Sequence, residues 1–298
     1  MTAGVGAPSR GVGAGGKLKA LSQLLTVPNL GLNLFFVVGF LFVVLRGNPD
    51  WRLAALVLLA FLGARNAGHG FNQIVDRELD AQNPRTRDRP LVTGVLSTRA
   101  AWAVVLLNVG LFFVAAALIN LWLTLLVVPA LGLVLGYSYT KRYTPATTVL
   151  LGAVQSLIPA AVYLAVDGRM PLPAWVAACA MLLFGTAFES VHSLGDLESD
   201  REHGLRSLPL SVGAARVPYL VGGLLAGALA LLLAFLWATL GETPWLLPIG
   251  VGMGTLVVME FRGLLRGRER LLRLFRLHFV MGAWFLLGVV LFYISTQI

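Results

Sequence analysis

The feature that most constrains this chain is the recurrence of apolar runs about 20 residues long, the length a helix needs to cross the hydrocarbon core of a bilayer. Nine are read along the 298 residues, at about 27–45, 53–74, 101–119, 121–138, 146–166, 173–193, 217–240, 245–261 and 277–296. Inside lipid every backbone N–H and C=O needs a partner within the protein, so runs of this length close their own hydrogen bonds as helices. The alternation of a membrane β-barrel is absent. Charged residues make up 12% of the chain and hydrophobic ones 57%, against roughly 25% charged in an average soluble domain, which excludes a soluble fold. The sequence predicts an all-α integral membrane protein of about nine transmembrane helices, with the lipid bilayer as its solvent. The single Cys179 lies inside an apolar run and has no partner for an internal disulfide.

The net charge of +9 is explained by sidedness. Residues 1–22, rich in Gly, Ala and Ser with Arg10, Lys17 and Lys19, read as a flexible basic tail, and no cleavable leader is expected. With the N-terminus cytoplasmic, all of the 23 Lys and Arg except Arg46, Arg52, Arg169 and the intramembrane Arg65 fall on the inner side. That asymmetry places the C-terminus outside, in a multi-pass protein of the cell inner membrane. It also removes the case for nucleic acid, because no basic stripe interleaved with aromatics lies outside the apolar runs.

Acidic residues obey no such sorting, so their clustering is informative. Asp76, Glu78, Asp80 and Asp88 follow the second run, and Asp196, Glu198, Asp200 and Glu202 follow the sixth. In NQIVDRELD, Asn72, Asp76 and Asp80 recur every four residues; in HSLGDLESD, His192, Asp196 and Asp200 do the same. On a helix each triplet shares one face. The matching frame suggests a single transmembrane domain, 23–298, of two loosely repeated halves, about 23–140 and 141–298. Carboxylates stacked at this spacing repel, and oxygen donors without Cys or paired His suit a hard ion such as Mg²⁺, which commonly bridges carboxylates to substrate phosphates.

Cations that suit phosphate adjoin both clusters. Asn-Pro and Arg-Pro break the chain after Asp80 and leave Arg85, Arg87 and Arg89 in a short loop. Arg201 and Arg206 follow Asp200, and Tyr137 and Lys141 in YSYTK share a helix face. Arg offers forked donors to phosphate, Lys a point charge and Tyr a hydroxyl. The positive-inside rule competes as the explanation for any one of these, but does not explain why they flank acidic pairs. Arg65 lies inside the second run, two turns before Asn72, where an unpaired charge costs a few kcal/mol. It is expected either to meet an anionic group of a substrate or to pair internally, for instance with Glu189. His69, one turn before Asn72, is either a packing histidine or a site residue.

At these positions the chain resembles the UbiA superfamily of membrane-embedded aromatic prenyltransferases. The match rests on NQIVDRELDAQNPRTRDRPLVTG at 72–94, YSYTK at 137–141 and DLESDREHGLRSLP at 196–209. The NPRT run and the DREHGL stretch look most like the 4-hydroxybenzoate branch. The resemblance implies a helical bundle around a central cavity and a polyprenyl diphosphate donor. It also implies Mg²⁺ held by Asn72, Asp76 and Asp80 and by Asp196 and Asp200, with Tyr137, Lys141 and Arg89 on the diphosphate. The acceptor would be a small aromatic molecule, 4-hydroxybenzoate-like or another quinone precursor, with Arg65 and Asn72 the candidates for holding it and His69, Arg85 and Arg206 nearby. A cation-coupled secondary transporter is the rival class; it would place its polar groups at the membrane midplane in broken spans.

Overall fold

A computed structural model describes residues 14–26, 30–48, 50–267 and 271–296, and its regular structure is helical throughout. Thirteen helices run in order: α1 Ala14–Leu24, α2 Gly31–Val44, α3 Trp51–Val75, α4 Arg77–Gln82, α5 Thr98–Ile119, α6 Leu121–Thr140, α7 Thr147–Asp167, α8 Leu172–Leu194, α9 Leu197–Glu202, α10 Leu208–Val212, α11 Val217–Leu240, α12 Leu246–Leu265 and α13 Leu271–Thr296. Capping residues start three of the long ones. Asp50, Ser97 and Asn120 accept from the backbone N–H groups of Leu53, Ala100 and Leu123, satisfying donors that a helix start leaves unpaired. Asn120 alone separates α5 from α6, and its amide also donates to the carbonyl of Leu164 on α7.

Among the described residues, eight helices are long and apolar enough to cross a membrane; α2, with 14 residues, is shorter. It spans roughly 21 Å, so the expected first span needs correcting, and its residues 27–29 lie outside the described set. The chain reaches this depth in two pieces. The carbonyls of Leu25 and Thr26 sit beside Arg65, ten residues inside α3 from its Val75 end, about 15 Å along the axis. From there α2 runs to the opposite end, where the carbonyl of Val43 accepts from the Tyr293 hydroxyl near the end of α13.

The expected flexible tail also needs correcting. Residues 1–13 lie outside the described set, but 14–24 form α1. Ala20 and Leu24 are buried, and Leu24 packs with Leu91 and Ala101 against Leu21 and Ile74. Glycine-rich composition suggested a tail, while the i, i+4 pair Ala20 and Leu24 supplied an apolar stripe that a neighbouring helix could cover.

The long helices meet on a core rich in phenylalanines. Phe36 of α2 stacks with Phe285 of α13, Phe40 lies tilted against the same ring, and Phe36 meets Phe184 of α8 edge-on at 4.9 Å between centroids. Phe40 does the same with Phe235 of α11. Without water to drive association, helices in lipid approach through small residues. A Cβ built on Gly185 of α8 would lie 2.8 Å from the Cα of Gly152 on α7, and one on Gly63 of α3 would lie 2.7 Å from the backbone nitrogen of Phe112 on α5. The obstacle at Gly63 is backbone and cannot rotate away. Gly63→Val is therefore expected to cost about 1–3 kcal/mol, seen as a lower thermal unfolding midpoint in detergent. Cys179 is exposed on the outer surface of α8, as its position in an apolar run allowed.

Candidate active site

The two acidic motifs are built alike. The long span α3 stops at Val75, directly before Asp76, and α8 stops at Leu194, with Gly195 between it and Asp196; each aspartate then starts a six-residue helix, α4 or α9. The sequence predicts a continuous helix at both places, whereas the backbone breaks there, with φ −92° and ψ 5° at Asp76 and φ −109° and ψ 2° at Asp196. The four-residue stagger survives the break, because Asp80 N–H donates to the carbonyl of Asp76 at 2.8 Å and Asp200 N–H to that of Asp196 at 2.7 Å.

Three cations hold the carboxylates. Lys141, which ends α6, places Nζ 2.6 Å from Oδ2 of Asp76, and Asn72 donates to the same oxygen at 2.8 Å. Arg89 Nη1 lies 2.6 Å from Oδ2 of Asp80. Arg85 grips Asp196 with two bonds, Nε to Oδ1 at 2.9 Å and Nη2 to Oδ2 at 2.5 Å, and Asn83 donates to Oδ1 at 3.0 Å. The loop after the first motif therefore closes onto the second. Gln82 adds a further stitch, its Oε1 2.8 Å from Nε2 of His203.

Burial raises the carboxyl of Asp80, and the charge and hydrogen bond of Arg89 offset this only in part. At Asp196 burial acts in the same direction, but the hydrogen bonds and charge of Arg85 outweigh it and hold the group below its ordinary value. Asp200, buried and facing the charge of Asp196, is pushed up to about 6. A carboxylate so under-compensated is the complement of an added cation. Asp76 Oδ1 is buried with no hydrogen-bond partner, which also leaves a hard oxygen donor free. These donors fit Mg²⁺ in chemistry, although among the described residues no three His, Cys, Asp or Glu side chains converge as a ready-made metal cluster.

The remaining expected residues divide. Tyr137 and His69 lie half-buried on α6 and α3. Arg206 points elsewhere: its Nη1 donates to the carbonyl of Tyr143 at 2.9 Å, while its backbone N–H donates to that of Lys141, so it braces the end of α6. Arg65 does not pair with Glu189, which lies 3.5 Å from Nδ1 of His192. Its guanidinium donates instead to the carbonyls of Leu25 and Thr26, at 2.8 and 2.9 Å. Sequence reasoning passed over Asn83, taken only as a helix breaker, and Gln73. It also passed over Glu260 and His278, fully buried and 3.3 Å apart between α12 and α13. Their presence inside two apolar runs was the signal.

The apolar helical bundle, with two interlocked carboxylate pairs and their cations gathered at one end, defines a helical membrane protein with a charged site. The chain belongs to the UbiA prenyltransferase family, whose model matches residues 33–287. It is 36% identical over 228 residues to a 4-hydroxybenzoate octaprenyltransferase of Xanthomonas euvesicatoria pv. vesicatoria, covering 74% of this chain and 72% of that one. A protein of the same name from Azotobacter vinelandii is 35% identical over 170 residues, 57% of each chain, so the match spans little more than half of that relative's length. Among solved structures, a UbiA homolog from Aeropyrum pernix K1 superposes with a TM-score of 0.77 at 28% identity, covering 86% of this chain and 96% of that one. A UbiA homolog from Archaeoglobus fulgidus, bound to GPP and Mg²⁺, shares the fold at TM-score 0.69 and 20% identity, over 91% and 99% of the two chains.

Proposed function

We propose that the chain moves a polyprenyl group from its diphosphate to a ring carbon of an aromatic acid similar to 4-hydroxybenzoate, as a step of quinone biosynthesis in the cell inner membrane. The observation that carries this is the interlock of Arg85 and Asn83 with Asp196, which brings both acidic motifs and three cations to one bundle end. The sidedness of the basic residues supports a cytoplasmic N-terminus and site, with the C-terminus outside.

Asp76, Asp80, Asp196 and Asp200, with Asn72, would hold Mg²⁺, whose charge makes diphosphate a better leaving group. Lys141, Arg89 and Arg85 pair with these carboxylates. On binding they turn to the diphosphate oxygens, with the Tyr137 hydroxyl as a further donor. The allylic C–O bond breaks with both electrons leaving on diphosphate, the ring carbon beside the hydroxyl forms the new C–C bond, and the ring proton departs. The apolar bundle keeps water from capturing the allylic cation. Arg65 supplies the counter-charge for the acceptor's carboxylate.

Purified protein in defined lipid should release diphosphate from a prenyl diphosphate only when both Mg²⁺ and the aromatic acid are present, and chelation should stop it. Cation-coupled uptake without diphosphate release would favour the transporter class instead. Arg65→Ala should raise the KM for the aromatic acid about tenfold or more, the cost of losing roughly 1.5–3 kcal/mol from a charged hydrogen bond. The prenyl diphosphate KM should change little in the same variant.

A further inference from the structure

Arg65 is a half-buried cation inside a membrane-spanning helix, and among the described residues it makes no ion pair. Its partners, the carbonyls of Leu25 and Thr26 and, at 3.4 Å, Oδ1 of Asn66, are neutral, so they fix the guanidinium without cancelling its charge. Those carbonyls stand just past the end of α1, where a helix leaves acceptors unsatisfied and carries partial negative charge. Irregular backbone at this depth is tolerated only where protein supplies its hydrogen bonds. Arg65 does so through Nη1 and Nη2, with Nη1 also donating to Oδ1 of Asn66, and its five N–H donors leave capacity for an anion.

The end of α1 is fixed independently. Gln73, buried on the same helix as Arg65 and two turns further along, donates from Nε2 to the carbonyls of Gln23 at 3.2 Å and Leu24 at 2.8 Å. Leu24, fully buried, seats against Leu91 and Ala101. An arginine side chain without such restraint would sample several rotamers, and holding it in one would cost side-chain entropy at the moment of binding.

We propose that docked α1 is a positioning element for the acceptor: Gln73 locks its end, the Leu25 and Thr26 carbonyls hold the Arg65 guanidinium in one orientation, and the guanidinium is thereby presented to the carboxylate of the aromatic acid. This rests on the assignment of Arg65 to the acceptor. It adds that acceptor affinity depends on a helix that itself touches no substrate. Because such coupling is reciprocal, the acid in turn stabilises the docked helix.

The test is Gln73→Met in the full-length protein, which keeps the side-chain volume and removes both donors. The KM for 4-hydroxybenzoate should rise about fivefold or more, with kcat and the prenyl diphosphate KM within about twofold, a split that general loss of structure would not produce. Hydrogen exchange in residues 14–24 should slow on adding 4-hydroxybenzoate to the unmodified protein and not in Gln73→Met. Should Gln73→Met fail to fold, Leu24→Ala loosens the same helix from its apolar side and carries the same expectation for the acceptor KM. If Arg65→Ala raises the acceptor KM while both of these variants leave it unchanged, the positioning role is overturned and the Arg65 assignment stands. If Arg65→Ala itself leaves that KM unchanged, the assignment on which the proposal rests is what fails.

Discussion

Asp196→Ala is expected to lower prenyl transfer by about a thousandfold, the scale on which removing a preorganised electrostatic group acts, while leaving the protein folded. The structure separates these two effects. Asp196 receives two bonds from Arg85 and one from Asn83, so its loss unties the loop that carries Arg85 and Arg89 from the second motif. The Arg85 side chain is 44% exposed, and once released it is solvated by water. An exposed pair of this kind contributes only about 0–1 kcal/mol to stability. Thermal unfolding should therefore stay near that of the unmodified protein. Asp196→Asn, which can still accept from Arg85 but carries no charge, should retain the loop and still lose most activity. Full activity in either variant would defeat the two-motif mechanism.

Lys141→Met should lose both activity and stability, and the contrast follows from burial. The side chain of Asp76 is only 4% exposed, against 27% for Lys141. Removing the ammonium leaves a buried carboxylate with Asn72 as its remaining side-chain partner. Breaking a buried pair from one side costs about 3–5 kcal/mol, enough for a clear drop in the unfolding midpoint measured without divalent cation. Prenyl transfer should fall about a hundredfold, since a point charge intended for the diphosphate is gone. Adding Mg²⁺ should recover more stability in Lys141→Met than in the unmodified protein, because an added cation replaces the missing neighbour of Asp76. An unchanged midpoint in Lys141→Met without Mg²⁺ would show that the pair with Asp76 contributes nothing to the fold.

Much of this site was legible because its logic is local. Asn72, Asp76 and Asp80 stand one turn apart by helical spacing alone, and the same holds for Asp196 and Asp200. The break in the backbone at each first aspartate was not legible, since nothing in the spacing distinguishes a kinked helix from a straight one. Partners across the chain were not legible either. That Arg85 would reach Asp196, 111 residues on, depends on how α3 and α8 are placed by the bundle, in which α7 packs against both. Arg65 shows the limit most clearly: its depth announced a constrained cation, but its partners are backbone carbonyls, which have no sequence signature. The same carbonyls explain the first span, where an apolar run of nearly 20 residues suggested one helix. Within that run the helix is the shorter α2, Gly31–Val44, and Leu25 and Thr26 precede it, just past the end of α1. Glu260 and His278 were visible as ionisable residues in apolar runs, yet their pairing required the packing of α12 on α13.

The central claim is that the interlocked acidic motifs serve a transfer from diphosphate to an aromatic ring carbon. The measurement that tests it most directly is mass spectrometry of the product formed in defined lipid from a prenyl diphosphate, 4-hydroxybenzoate and Mg²⁺, with diphosphate counted in parallel. The expected product carries the prenyl group on a ring carbon, keeps both the hydroxyl and the carboxylate, and appears with one diphosphate released for each molecule formed. A prenyl ether, free prenyl alcohol as the sole product, or no release of diphosphate at all would contradict it.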